Sequence, residues 1–114
     1  MNISDIAAVI GAKCVQSDYT DKEIAAVYTG DLLSDILGNA DDNCIIITIQ
    51  AHRNTVAVAT TKDCRAIIVC NDRPVPDDML SAAKDEKIAV FLTSENQFMV
   101  SGKLYTALGC GASC

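Results

Sequence analysis

The run Cys44-Ile45-Ile46-Ile47-Thr48-Ile49 decides the fold. It is apolar almost throughout, shorter than an ordinary helix, and lacks the polar alternation of a half-exposed strand. That pattern describes a strand covered on both faces. Two runs of the same kind follow, Ala66-Ile67-Ile68-Val69-Cys70 and Ile88-Ala89-Val90-Phe91-Leu92. Such strands belong to parallel sheets clothed by helices, and parallel neighbours need a crossover of about a dozen residues or more. The interval from Gln50 to Arg65 supplies one. Within it, Thr55-Val56-Ala57-Val58-Ala59-Thr60 is strand-like by propensity. The crossover requirement outweighs that propensity and predicts a helix, with Asn54 as its N-cap.

Toward the N-terminus, Ile24 to Tyr28 reads as another strand. Thr29-Gly30-Asp31 follows as a turn, with Asp31 placed to cap a helix that carries Leu33, Ile36, Leu37 and Ala40. Further back, Ile3, Ile6, Ala7 and Ile10 share one face of a short helix stopped by Gly11. Lys13 to Val15 is a brief strand and Ser17 to Lys22 a polar loop. Toward the C-terminus, Pro76-Asp77-Asp78 opens a helix with acids in its first turn and Lys84 and Lys87 near its end, as the helix dipole favours. Ser94 with Gln97 fits a capping box for a last helix, whose inner face would carry Phe98, Gly102 and Tyr105. The alternation predicts one small α/β domain, with an open, mostly parallel sheet of about 4–5 strands flanked by helices. The expected division is 1–108 for the domain and 109–114 for a tail containing Cys110 and Cys114.

Composition agrees with this reading. Half of the 114 residues are hydrophobic, yet there is no Trp and only two Phe and three Tyr, so the core must be aliphatic. The formal charge of −6 repels phosphate backbones, and no basic stripe interrupts it, which argues against nucleic-acid and anionic-membrane partners. No apolar run approaches the ~20 residues of a membrane span, and the start Met1-Asn2-Ile3-Ser4-Asp5 does not resemble a signal peptide. A cytoplasmic protein is expected. Six cysteines would suit disulfides in a secreted chain, but Cys44 and Cys70 sit in core strands. There a reduced thiol serves as a small hydrophobe.

In open α/β sheets, ligands bind beyond the carboxyl ends of the strands. The loops expected there bring Gly30, Asp31, Gln50, His52, Asn54 and Asn71 as candidate ligand-binding residues, beside Arg53, Asp72, Arg73 and Thr93 to Glu95. Several lead into helix N-termini, which favour anions. His52 is the sole histidine and lacks companions for a metal site or a triad. Asp31 and Asp35, four residues apart, could share a hard cation, although first-turn acids are stabilised by the helix dipole in any case. Cys110 and Cys114 form a Cys-x3-Cys pair among glycines. With further thiolates from Cys14, Cys44, Cys64 or a partner chain, they could hold zinc or an iron–sulfur cluster. No phosphate-binding loop, dinucleotide fingerprint or nucleophile elbow is present. An enzyme built on His52 with Asp31 or Asp72 is the weakest reading, because nothing assembles a nucleophile, a base and an orienter.

Asp31-Leu32-Leu33-Ser34-Asp35-Ile36-Leu37, Ile47 through Ala59, Ala66-Ile67-Ile68-Val69 and Ile88 through Ser94 together resemble the DRTGG-domain family. The resemblance covers almost the whole chain. It implies a mixed α/β fold similar to the N-terminal domain of HPr kinase/phosphorylase. Such domains also occur in phosphotransacetylases and in regulatory regions of some pyrophosphatases, where they tend to dimerise. Stand-alone members accompany iron-only hydrogenase systems in anaerobic bacteria. The implied roles are therefore a non-catalytic, homodimeric regulatory or ligand-binding module, or alternatively an accessory of a hydrogenase or other redox enzyme that uses the tail cysteines. The nucleotide-binding half of HPr kinase has no counterpart here, so kinase activity is not expected. The family's Gly-Asp-Arg element falls on Gly30-Asp31-Leu32, without the arginine. Its Thr-Gly-Gly element falls near Cys70-Asn71-Asp72, without the glycines.

Overall fold

A computed structural model describes residues 1–109 of the chain. The three apolar runs form β3 (Cys44–Thr48), β4 (Ala66–Val69) and β5 (Ala89–Leu92), joined by β1 (Lys13–Gln16) and β2 (Ala26–Thr29). All residues of β3 and β4 are buried, as strands covered on both sides require. The order across the sheet is β1-β5-β4-β3-β2. Strands β2 to β5 are parallel neighbours, while β1 adds antiparallel to the β5 edge.

Because β2 through β5 follow one another across the sheet, each crossover returns to the same face. The crossovers are α2 (Leu33–Asn39), α3 (Arg53–Thr61) and α4 (Asp77–Asp85). They bury Ile36, Val56, Ala59, Met79 and Ala83 against Ile46, Ile67, Val69 and Val90. The opposite face is covered by a 3₁₀ turn (Ile3–Asp5), α1 (Ile6–Ile10) and α5 (Gln97–Ala107). These pack Ile3, Ile6, Ile10, Val100 and Leu104 on Ile45, Ile47, Ile68 and Phe91. Alternate residues of each strand therefore serve two separate aliphatic layers. The mixed, mostly parallel α/β sheet is as the sequence predicts, and the ambiguous segment after Gln50 is helical.

Four local expectations need correction. Leu32, not Asp31, occupies the cap position of α2, with no side-chain cap bond. His52 rather than Asn54 caps α3, and Asn96 rather than Ser94 caps α5 through its Oδ1, which accepts the Met99 N–H at 2.9 Å. On α5 the inward residues are Val100 and Leu104, whereas Phe98 is 82% exposed and Tyr105 52%. That helix is apolar on several sides, so its spacing fits more than one inward stripe. With Gln97 as the first helical residue, the Val100–Leu104 stripe faces the sheet.

Candidate functional site

The carboxyl-terminal rim of the sheet holds the residues singled out in the sequence, in the loops after three strands and, for Asn54, in the first turn of α3. Gly30 and Asp31 follow β2, Gln50, His52 and Asn54 follow β3, and Asn71 follows β4. The first two loops are joined, because Gln50 Nε2 donates to the Asp31 carbonyl at 2.8 Å. The Gly30 N–H extends the ladder to the Ile47 carbonyl at 3.0 Å. The loop after β3 is braced from inside: the Gln50 N–H donates to Thr48 Oγ1 at 3.0 Å, and Thr55 Oγ1 donates to the Gln50 carbonyl at 2.7 Å. His52 Nδ1 accepts the Asn54 backbone N–H at 3.0 Å, while both side chains remain exposed.

Asn71 and Asp72 make a tight turn with φ of 59° and 51°, and Arg73 closes it by donating its N–H to the Cys70 carbonyl at 3.3 Å. Two successive left-handed residues normally call for glycine, and Asn and Asp are the side chains that tolerate the region best. The turn's left-handed backbone is thus held by Asn and Asp in place of glycine. The turn also joins the next loop: the Asn71 N–H donates to the Glu95 carbonyl at 2.9 Å and the Asp72 N–H to the Thr93 carbonyl at 2.8 Å. The loop after β4 leads to a helix on one face and the loop after β5 to a helix on the other. A crevice is expected where loops part in this way. Here these two backbone bonds span the parting.

Both oxygens of the Asp35 carboxylate are engaged by neighbouring side chains. One of its oxygens accepts the Tyr28 hydroxyl at 2.6 Å and the other accepts Asn39 Nδ2 at 2.8 Å. The carboxylate bonded to Tyr28 raises the phenol's pKa above its ordinary value. Among the described residues, no group of three or more His, Cys, Asp or Glu side chains is placed to hold a metal ion. Cys110 and Cys114 lie outside the described residues.

Sequence reasoning missed a cleft of about 540 Å³ that runs along the edge strand β2 beside α5. Ala26, Val27, Thr29, Ser101, Leu104 and Tyr105 are among its lining residues. Thr29 and Ser101 hydroxyls bridge its wall at 2.7 Å. Nothing in the sequence marked β2 as the sheet edge, so no signal could have located this cleft. Elsewhere on α5, Lys103 pairs with Glu95, and the Gln97 Oε1 is buried without a hydrogen-bond partner among the described residues.

The fold is that of a small α/β domain with a five-stranded, mostly parallel sheet. Its fold matches a solved structure of the CBS and DRTGG domains from the regulatory region of Clostridium perfringens pyrophosphatase, complexed with the activator diadenosine tetraphosphate. The match has a TM-score of 0.71 and covers 90% of this chain and 45% of that one, so the chain spans less than half of the solved structure. At 15% identity the likeness is one of fold. No protein-family model and no curated protein matches the sequence.

Proposed function

We propose that this chain is a non-catalytic regulatory module that takes a small polar or anionic ligand on the carboxyl-terminal rim and works as a homodimer. The observation that carries the reading is the likeness, over nearly the whole chain, to a regulatory region solved with a nucleotide activator. The rim has suitable chemistry. Gln50, His52, Asn54 and Asn71 offer polar hydrogen-bonding groups, and the exposed Arg53 and Arg73 add positive charge to a chain whose net charge is −6. The α3 N-terminus opens onto the same rim. Dimerisation is supported by the apolar outer side of α5, where Phe98 and Met99 are exposed. No helix among the described residues is long and apolar enough to cross a membrane, and the cytoplasm is the proposed location.

Titration of isotope-labelled full chain with diadenosine tetraphosphate, and separately with AMP, tests the site. Expected are saturable amide shifts at Gly30, Asp31, Gln50, Asn54 and Asn71. His52→Asn with Asn54→Ala should weaken binding about tenfold or more while the remaining spectrum is unchanged, since Asn can still cap α3. Shifts confined to the β2–α5 cleft would move the site there, and no response to either nucleotide would remove the nucleotide reading.

A further inference from the structure

Cys44 opens β3, and Cys64 lies in the turn between α3 and β4. They are 20 positions apart in sequence, yet their sulfurs approach to 3.0 Å. Register explains the approach. Ile45 pairs with Ala66, so Cys44 stands beside the residues that lead into β4. The Asn43 N–H donates to the Lys62 carbonyl at 3.1 Å and fixes the two chain segments together. Both thiols are buried. Cys64 lines a crevice of about 50 Å³ together with Thr60, Asp63, Arg65, Glu86 and Ile88. It has room for a molecule little larger than water.

We propose that Cys64 and Cys44 form an oxidant-reactive thiol pair, in which a small peroxide enters the crevice, oxidises Cys64 first, and Cys44 resolves the product to a disulfide. The electrostatics support this order. The two thiols share a hydrogen bond in which either sulfur could donate. The bond with Cys44, the Cys44 backbone N–H and the Lys62 ammonium favour negative charge on Cys64 and hold it below the ordinary thiol range despite burial. Cys44, facing that charge, is pushed up. Cys70, by contrast, is buried at the end of β4 and pushed up to about 11, mainly by desolvation, so it stays an inert thiol.

The chemistry balances. Cys64 thiolate attacks one peroxide oxygen, the O–O bond breaks, and the departing hydroxide takes a proton to become water. Cys64 is then a sulfenic acid. Cys44 sulfur attacks Cys64 sulfur, the S–O bond breaks, and the leaving hydroxide departs as water with the Cys44 proton. Two thiols have lost two hydrogens, and the peroxide has become two waters. The sulfurs need to close by only about 1 Å to reach the length of a disulfide bond. A dithiol reductant reverses the change.

The test treats the folded full chain with hydrogen peroxide, alkylates remaining thiols under denaturing conditions, and maps tryptic peptides by mass spectrometry. Expected is a crosslink between peptides 23–53 and 63–65, lost on treatment with dithiothreitol. Cys44→Ser should leave a Cys64 sulfenic acid that dimedone traps, whereas Cys64→Ser should leave Cys44 a free thiol. Wild-type protein in which peroxide modifies other cysteines while Cys44 and Cys64 both remain alkylatable overturns the proposal. So does first capture by dimedone at Cys44. The mapping on wild type stands even where a variant does not fold.

Discussion

Asn71 and Asp72 hold the rim turn in the left-handed region, which costs most residues roughly 1–2 kcal/mol and Asn or Asp less. Glycine there would relieve the remaining strain but widen the unfolded ensemble by roughly 0.5–1 kcal/mol. The two effects nearly cancel, so Asn71→Gly should leave the melting temperature almost unchanged. Asn71→Val adds a β-branched side chain at positive φ and should cost about 2 kcal/mol, a drop of roughly 5–10 °C in thermal unfolding. Equal melting of the two variants would show that the turn is not held left-handed in solution. Another residue governs the N-terminal segment. Asp21 accepts Ser4 Oγ at 2.6 Å, the Ser4 N–H at 3.0 Å, the Lys22 N–H at 2.9 Å and Asn2 Nδ2 at 3.4 Å. The bonds from Ser4 chiefly hold its carboxyl below the ordinary value of 3.8. A carboxyl depressed on folding contributes stability above its unfolded pKa, and that contribution is lost as pH falls through the folded one. The Ser4 amide proton shift should therefore titrate with a midpoint below 3.8, and Asp21→Asn should abolish the step. A midpoint at or above 3.8 in an NMR pH series would contradict these bonds.

Among the elements, α3 shows how a helix forms from strand-like residues. Thr55, Val56 and Ala59 are buried, and the segment must cross from β3 to the parallel β4. Packing and topology thus override local propensity. Its cap is less usual: the His52 imidazole takes the place that Ser, Thr, Asn or Asp commonly fills. His52→Ala should cost about 1 kcal/mol in chemical denaturation, and His52→Asn should restore most of it. If both variants lose the same amount, the imidazole matters for something other than capping. The same elements show where sequence reasoning stops. Cys44 to Thr48, Ala66 to Val69 and Ala89 to Leu92 were legible because a strand buried on both faces leaves an unbroken apolar run. The rim loops were legible because strand–helix alternation places them together. The Val100–Leu104 stripe was not legible, since Phe98 and Tyr105 offered a competing inner face. Nor was the meeting of Cys44 with Cys64, because the register between β3 and β4 is a property of the folded pair.

On the scale of the whole molecule, the placement of the aromatic residues is informative. The sheet has two aliphatic layers, and of two phenylalanines only Phe91 enters them. Phe98 stands 82% exposed on the outside of α5, with Met99 45% exposed beside it. Leaving a phenylalanine in water forgoes roughly 1.5–3 kcal/mol of burial, and helices apolar on several sides are ordinarily covered on several sides. Val9, Phe98, Met99, Gly102 and Lys103 border one shallow depression, so the exposed residues form a patch rather than scattered points. In a two-fold dimer, each copy would present this patch to the other, and each substitution would act on both copies. Phe98→Asp places a charge at that centre while touching none of the core. An anchor of this kind is worth about 2 kcal/mol or more, which weakens association roughly thirtyfold. Light scattering across a concentration series should give twice the 12.1 kDa chain mass for the wild type and the single chain mass for Phe98→Asp, with unchanged circular dichroism. A wild type that stays at 12.1 kDa at every concentration would remove self-association from the proposed function and leave the α5 face for a different partner. A Phe98→Asp variant that still dimerises would place the interface elsewhere, with the open edge of β2 as the next surface to alter.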